Sequence, residues 1–132
     1  ESLGTGIATA VVDASVEECA AFIYQSLHQR NLKKTAKKYG IIEYHIKHVN
    51  DHTLYYANTR DLGFFLKKRE VRSKITWKKG DNGDVVIYCS DTKDLSDEYP
   101  VQGGNVLASV NSVLHFQQLD SIGEIPQTAV TF

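Results

Sequence analysis

Apolar residues change their period along this chain, and the period selects the element. "GIATAVV", Gly6 to Val12, is short, apolar and β-branched, which predicts a strand. Val16, Cys19, Ala20, Ile23 and Leu27 recur at helical spacing and predict a helix from about Val16 to His28. Ser15 followed three residues later by Glu18 is a capping box for its start. "RNLKKTAKKYG" is a loop or a short second helix that Gly40 would end. Beyond Gly40 the period becomes two: Ile42, Tyr44 and Ile46 share one face, Glu43, His45 and Lys47 the other. "NDH" makes a turn and "TLYYANT" the returning strand. "RDLGFF" leads into a basic run, Asn82-Gly83 signals a hairpin, and "DVVIYCS" follows as a strand. Ser96 to Asn105 reads as a loop, "VLASVNSVLHFQQL" as one long strand, "DSIGEIP" as a turn and "QTAVTF" as a further strand. Consecutive hairpins imply an antiparallel sheet, and the N-terminal helix region is the element available to cover it. The expected class is α+β, with about six to seven strands.

The run "FLKKREVRSKITWKK", Phe65 to Lys79, holds seven of the fifteen Lys and Arg residues. Alternate residues Lys67, Arg69, Val71, Ser73, Ile75 and Trp77 fall on one face and include the bulky apolar ones from position 70 onward. The opposite set is almost wholly charged, as expected of a half-buried strand with a solvated back. A nucleic-acid surface would instead set stacking aromatics beside the charges, and Trp77 points the other way. Arg69 lies on the inward face, where a guanidinium needs a partner or polar surroundings. Glu43, Asn111 or His115 could supply one, or Arg69 could reach water near the strand's start.

Composition narrows the classes. The length of 132 residues suits one domain, and 42% hydrophobic residues suffice for one core. A net charge of −1 provides no global field for DNA or RNA, and six acids between Asp81 and Glu98 offset the basic run locally. Two cysteines, Cys19 and Cys89, make no disulfide framework and point to a reducing, cytoplasmic compartment. No apolar stretch reaches membrane-spanning length, and "ESLGTG" does not read as a signal peptide.

In this order the features resemble the START domains, lipid-transfer domains of the Bet v 1-like helix-grip superfamily. The resemblance rests on Arg69-Glu70-Val71, Trp77, the turn Asp81-Asn82-Gly83 and the strand Val85 to Ser90. Upstream, "GIATAVVDASVEECAAFIY" is similar to the family's strand entering a helix through an Asp/Ser turn. "TLYYANT", "VLASVNSVLHFQQLD" and "QTAVTF" are similar to its later strands. The resemblance implies a curved antiparallel sheet around a helix, an apolar tunnel, and a bound sterol, phospholipid or similar lipid, carried or sensed without chemistry. Such domains finish with a long C-terminal helix, which this sequence lacks. The expectation is a single START-like domain over residues 1–132 whose chain continues past Phe132 into an apolar-striped helix, or whose groove another molecule fills.

Candidate ligand-binding residues are Arg69, Trp77, Tyr56, Tyr88, Asn111 and His115, the aromatics among them serving equally well as core. Arg30, Lys33, Lys34, Lys37 and Lys38 could touch an anionic membrane, each adding about 1 kcal/mol near the surface. No GxSxG, Walker, CxxC or HExxH motif occurs. His45, His48 and His52 read as surface residues, and Asp91, Asp94, Asp97 and Glu98 lack the spacing of a calcium loop. No catalytic residue, metal or cofactor is therefore expected. Two other classes stay open: a cyclase- or hydrolase-type helix-grip enzyme using Arg69, His115 and Glu43 for acid–base work, and an interaction module using the open sheet face.

Overall fold

The computed structural model describes residues 4–26 and 29–132. One sheet contains eight strands: β1 (Thr9–Val12), β2 (Ile41–Asn50), β3 (Thr53–Arg60), β4 (Arg69–Lys79), β5 (Val85–Asp91), β6 (Val106–Leu107), β7 (Ser112–Ile122) and β8 (Ile125–Thr131). Their order is β1-β8-β7-β5-β4-β3-β2, with β6 beside β4. Each pairing along that path is antiparallel, as consecutive hairpins require, and β6 alone runs parallel to its neighbour.

Helix α1 (Val16–Ser26) begins on a complete capping box. The Glu18 amide donates to Ser15 Oγ at 3.1 Å, and the Ser15 amide donates to Glu18 Oε2 at 2.9 Å. The expected last residues of this helix, Leu27 and His28, lie outside the described residues. Helix α2 (Gln29–Thr35) and a 3₁₀ turn (Ala36–Tyr39) take up the basic stretch, so the short-helix alternative holds there. Gly40 ends it in the left-handed conformation, φ 67°. A side chain at Gly40 would place its Cβ 2.7 Å from the Asp61 carbonyl oxygen, a contact only glycine permits.

The core sits between α1, α2 and one face of the sheet. Val16, Ala20 and Leu32 pack there against Leu54, Tyr56, Ile75, Val85, Ile87 and Phe116. The alternation read for β4 holds on this inner face: Val71, Ser73 and Ile75 are buried, and Trp77 packs against the core.

The outer face of β4 departs from its expected solvated back. Lys74 and Lys78 are exposed, but Glu70 is 1% and Arg72 7% exposed. Residues 92–105 fold over them as a second cover. The expected long strand from Val106 is also broken. Its first two residues pair with Arg69 and Glu70 as β6, and β7 begins only at Ser112. The break is pinned by Asp91, whose carboxylate accepts from the Val110 amide at 2.8 Å, from Asn111 Nδ2 at 3.2 Å and from the Ser109 hydroxyl. In turn β7 runs on to Ile122 and β8 begins at Ile125, so the expected "DSIGEIP" turn shrinks to Gly123 and Glu124.

Candidate functional site

Helix α1 does not press flat on the sheet. Between its Ala20–Tyr24 side and the inner ends of β4 and β5 lies a cavity of about 420 Å³. Trp77, Val85 and Ile87 supply the sheet wall, Ala20, Ala21 and Tyr24 the helix wall, and Lys79, Glu17 and Asp51 the polar edge. That volume falls within the roughly 300–1,000 Å³ of small-molecule sites, which are mostly apolar with a few placed polar groups.

Each wall has an identifiable support. The Trp77 indole N–H donates to the Asp51 carbonyl oxygen at 2.8 Å, and its ring lies against the His52 imidazole at 4.1 Å between centroids. The β2–β3 turn therefore sets the indole's orientation. Lys79 Nζ meets Glu17 Oε1 at 3.0 Å, linking β4 to the first turn of α1 across the opening. The hydrogen bond from Lys79 holds the Glu17 carboxyl below its usual range. Tyr24 brings a hydroxyl into the helix wall that is buried without a hydrogen-bond partner. Burial, and next the Asp51 charge, push that hydroxyl above the ordinary tyrosine value, so it stays a neutral donor. A buried donor without a partner is costly. The sequence offered no sign of Tyr24 beyond its place on the helix face.

No protein-family model matches the chain, and comparison with curated proteins gives no match. Solved structures do match. The lipid transfer and protein localization domain of human StarD13 superposes with a TM-score of 0.68 at 14% identity, over 95% of this chain and 58% of that one. A STAR-related lipid transfer protein from Xanthomonas axonopodis gives 0.67 at 10% identity, over 96% and 64%. Human StAR-related lipid transfer protein 5 gives 0.64 at 11%, over 96% and 58%. This chain has the START fold. It spans about three-fifths of the length of these structures.

Within the START fold the sequence-derived candidates separate. Trp77 lines the cavity. Tyr56 is buried further along the same face, its hydroxyl pushed up by burial against a smaller opposing effect of Arg60. Arg69 is inward and half-buried, as read, but eight residues from Trp77, or roughly 26 Å at about 3.3 Å per residue. Its Nη1 donates to the Lys67 carbonyl at 3.4 Å, and its cross-strand partner is Arg60.

The expected companions of Arg69 lie elsewhere. His115 pairs across strands with Val86, alternating with inward Leu114 and Phe116, and so faces outward, where Nε2 meets Asp84 Oδ2 at 2.9 Å. Asn111 is committed to the β6–β7 turn, accepting from the Asp91 amide at 3.0 Å. Tyr88 also faces outward, opposite Thr76, with Lys78 Nζ 5.9 Å from its ring centre. Glu43 lies on the outer face, bonded to His45 at 3.1 Å.

The buried arginine is Arg72, which sequence reasoning missed. Its Nη2 reaches Glu70 Oε2 at 2.5 Å, its Nε donates to the Tyr99 carbonyl at 2.9 Å and its Nη1 to the Val71 carbonyl at 3.1 Å. Glu70 Oε1 accepts from the Gln102 amide at 3.0 Å and Asn105 Nδ2 at 2.6 Å. Burial alone would push the Glu70 carboxyl up, but the hydrogen bonds from Asn105, Gln102 and Arg72 outweigh it and hold it below the usual range. A second cavity of about 230 Å³ adjoins this pair on the outer face, edged by Glu43, His45, Glu98 and Tyr99. Those groups already bond to one another or to Lys47, and the His45 ring stacks on Tyr99 at 4.3 Å.

Proposed function

We propose that this protein binds a lipid and transfers or senses it without chemistry, the ligand entering the cavity between α1 and the Trp77 end of the sheet. The cavity carries the reading: the sheet and helix walls are mostly apolar, and Lys79, Glu17 and Asp51 stand at its edge. That is the pattern expected for a largely apolar ligand with a polar end. The START fold, and the lipid-transfer names of the proteins that share it, support the same reading. Tyr56 lies further along the same face, and the opposed Arg60 and Arg69 offer a cationic end for a ligand long enough to reach them. The acid–base alternative is the weaker one, because Arg69 lies on the inner face while His115 and Glu43 lie on the outer one with three strands between them.

Delivery would need bilayer contact, and the basic stretch Arg30, Lys33, Lys34, Lys37 and Lys38 is the cationic surface first read for it. Lys33, Lys34, Lys37 and Lys38 are exposed. A cytoplasmic setting accords with the free thiols of Cys19 and Cys89. Native mass spectrometry of the purified protein should find a co-purified lipid. Trp77 is the only tryptophan, so its emission should shift as a sterol or a short-chain phospholipid is titrated in. A bare mass together with an unchanged spectrum would overturn the reading.

A further inference from the structure

The outer cavity beside Glu70 and Arg72 is opposite to the inner one in chemistry as well as in place. Its volume of about 230 Å³ is lined by the carboxylates of Glu43, Glu70 and Glu98 and by the single guanidinium of Arg72. Every nitrogen of that guanidinium is committed, Nε to the Tyr99 carbonyl, Nη1 to the Val71 carbonyl and Nη2 to Glu70. An anion would therefore meet net repulsion there. Acceptors, by contrast, are in excess. A carboxylate has about four lone-pair sites. Glu43 is met by His45 Nε2 at 3.1 Å and Gln102 Nε2 at 3.4 Å, and Glu98 by Lys47 Nζ at 2.9 Å, which leaves lone pairs on both. The Lys47 bond holds the Glu98 carboxyl below its usual range, as an anion.

One polar group in the wall is unused by the chain. Thr59 is 6% exposed and pairs with Glu43 on β2 and Glu70 on β4, which puts its side chain on the outer face and in the cavity wall. Its hydroxyl has no hydrogen-bond partner among the described residues. Burying a hydroxyl without a partner is costly, so the position calls for a donor from outside the chain. Among the described residues no three His, Cys, Asp or Glu side chains are grouped closely enough to hold a metal ion, so the cation that fits is organic. The volume lies below the roughly 300 Å³ at which drug-sized sites begin, so that cation is small. Tyr99, with His45 stacked on its ring at 4.3 Å, adds an aromatic wall for an alkyl chain or a cation to pack on.

We propose that the outer cavity binds a small alkylammonium ion, whose N–H groups donate to Thr59 Oγ1 and the Glu43 carboxylate while Glu98 supplies a second negative charge. The site lies across the sheet from the inner cavity and does not depend on the lipid reading.

The test titrates n-butylamine, a cation at neutral pH, into the whole nitrogen-labelled chain at fixed pH and ionic strength, with n-butanol as the uncharged control. The amide signals of Thr59, Tyr99 and Gln102 should shift and saturate with butylamine and not with butanol. Glu43→Gln/Glu98→Gln should weaken butylamine binding about tenfold, as two half-exposed charges are removed. Thr59→Val should weaken it about threefold, and Thr59→Ser should keep it. Without butylamine, Thr59→Val should not lower the midpoint of urea unfolding, because the hydroxyl it removes bonds to nothing in the chain. Shifts that never saturate, shifts that butanol reproduces, or an unchanged affinity in the double Gln variant would overturn the site. A lowered midpoint for Thr59→Val would overturn it too, since the hydroxyl would then have a partner within the protein.

Discussion

The sheet has two covers, and they work by opposite chemistry. Helix α1 lies over the inner face through Val16, Ala20, Ile23 and Tyr24, an apolar contact that leaves a cavity at one end. Residues 92–105 lie over the outer face through the Glu70–Arg72 pair, which grips the Tyr99 and Pro100 carbonyls, the Gln102 amide and the Asn105 side chain, with Leu95 as their buried apolar residue. The apolar cover tolerates a gap because its contacts are non-directional and each is small. The polar cover does not, since every buried lone pair and N–H of Glu70 and Arg72 needs a partner in place. The loose cover leaves the cavity proposed for a ligand, and the tight one fixes the strand β4 that walls it.

The largest effect should come from breaking the polar cover. Arg72→Ala leaves Glu70 buried without its cation and should lower stability by about 3–5 kcal/mol. The midpoint of urea unfolding measures this, and an unchanged midpoint would mean that residues 92–105 open readily. Replacing both partners by leucine should cost far less, because no charge is then stranded. Trp77→Ala comes next. The indole is only partly buried, so about 2–3 kcal/mol is expected rather than the full value for a core tryptophan. The same variant should weaken lipid uptake, which Arg72→Leu/Glu70→Leu should leave alone.

Acid should distinguish the covers too. The Glu70 carboxyl is held below its unfolded value, so its contribution is present above the ordinary carboxylate range and lost as pH falls through its lowered folded value. Protection of the 92–105 amides, measured against the intrinsic exchange rate at each pH, should therefore fall before that of α1 once the pH drops below the ordinary carboxylate range. Equal loss of protection in both would mean that the pair does not hold the cover. The smallest change is at the start of α1. Ser15→Ala removes the acceptor for the Glu18 amide and should cost about 1 kcal/mol. It should fray the helical cover and leave the outer one intact, seen as faster exchange confined to residues 16–20.

The apolar cover was legible in the sequence because its signals are local. Ser15 and Glu18 are three residues apart, and strand alternation set Val71, Ser73, Ile75 and Trp77 on one side. The polar cover was not legible. Glu70 and Arg72 read as solvated because their partners are the carbonyls of Tyr99 and Pro100 and the amide of Gln102, which any residue could provide. The break at residues 108–111 had a similar cause, since Asp91 lies twenty residues from the Asn111 it holds. The outward face of His115 was readable in principle, as it alternates with the bulkier Leu114 and Phe116. The exposed rings of Phe64 and Phe65 were hidden because "RDLGFF" reads as a connector, and only the backbone reveals that they are held outward.

The pairing of β1 with β8 also sets the order in which the molecule can assemble. Thr9 is opposite Thr131, the Ala8 and Phe132 backbones exchange two 2.8 Å hydrogen bonds, and Thr128 Oγ1 donates to the Ala14 carbonyl at 2.7 Å just before α1. The helix is thus moored at its entry to a strand more than a hundred residues further along the chain. Contacts of such sequence separation form slowly, since the intervening chain must close first. During synthesis α1 emerges well before β8 and can be fixed only once β8 has been made. Until then Leu54, Ile75, Ile87 and Phe116 have no lid, and the nascent sheet is at its most aggregation-prone. A lipid available at that stage would occupy the same face that α1 later closes and could speed maturation as well as serve as cargo. Refolding that quickens when lipid is added would be the kinetic trace of that order.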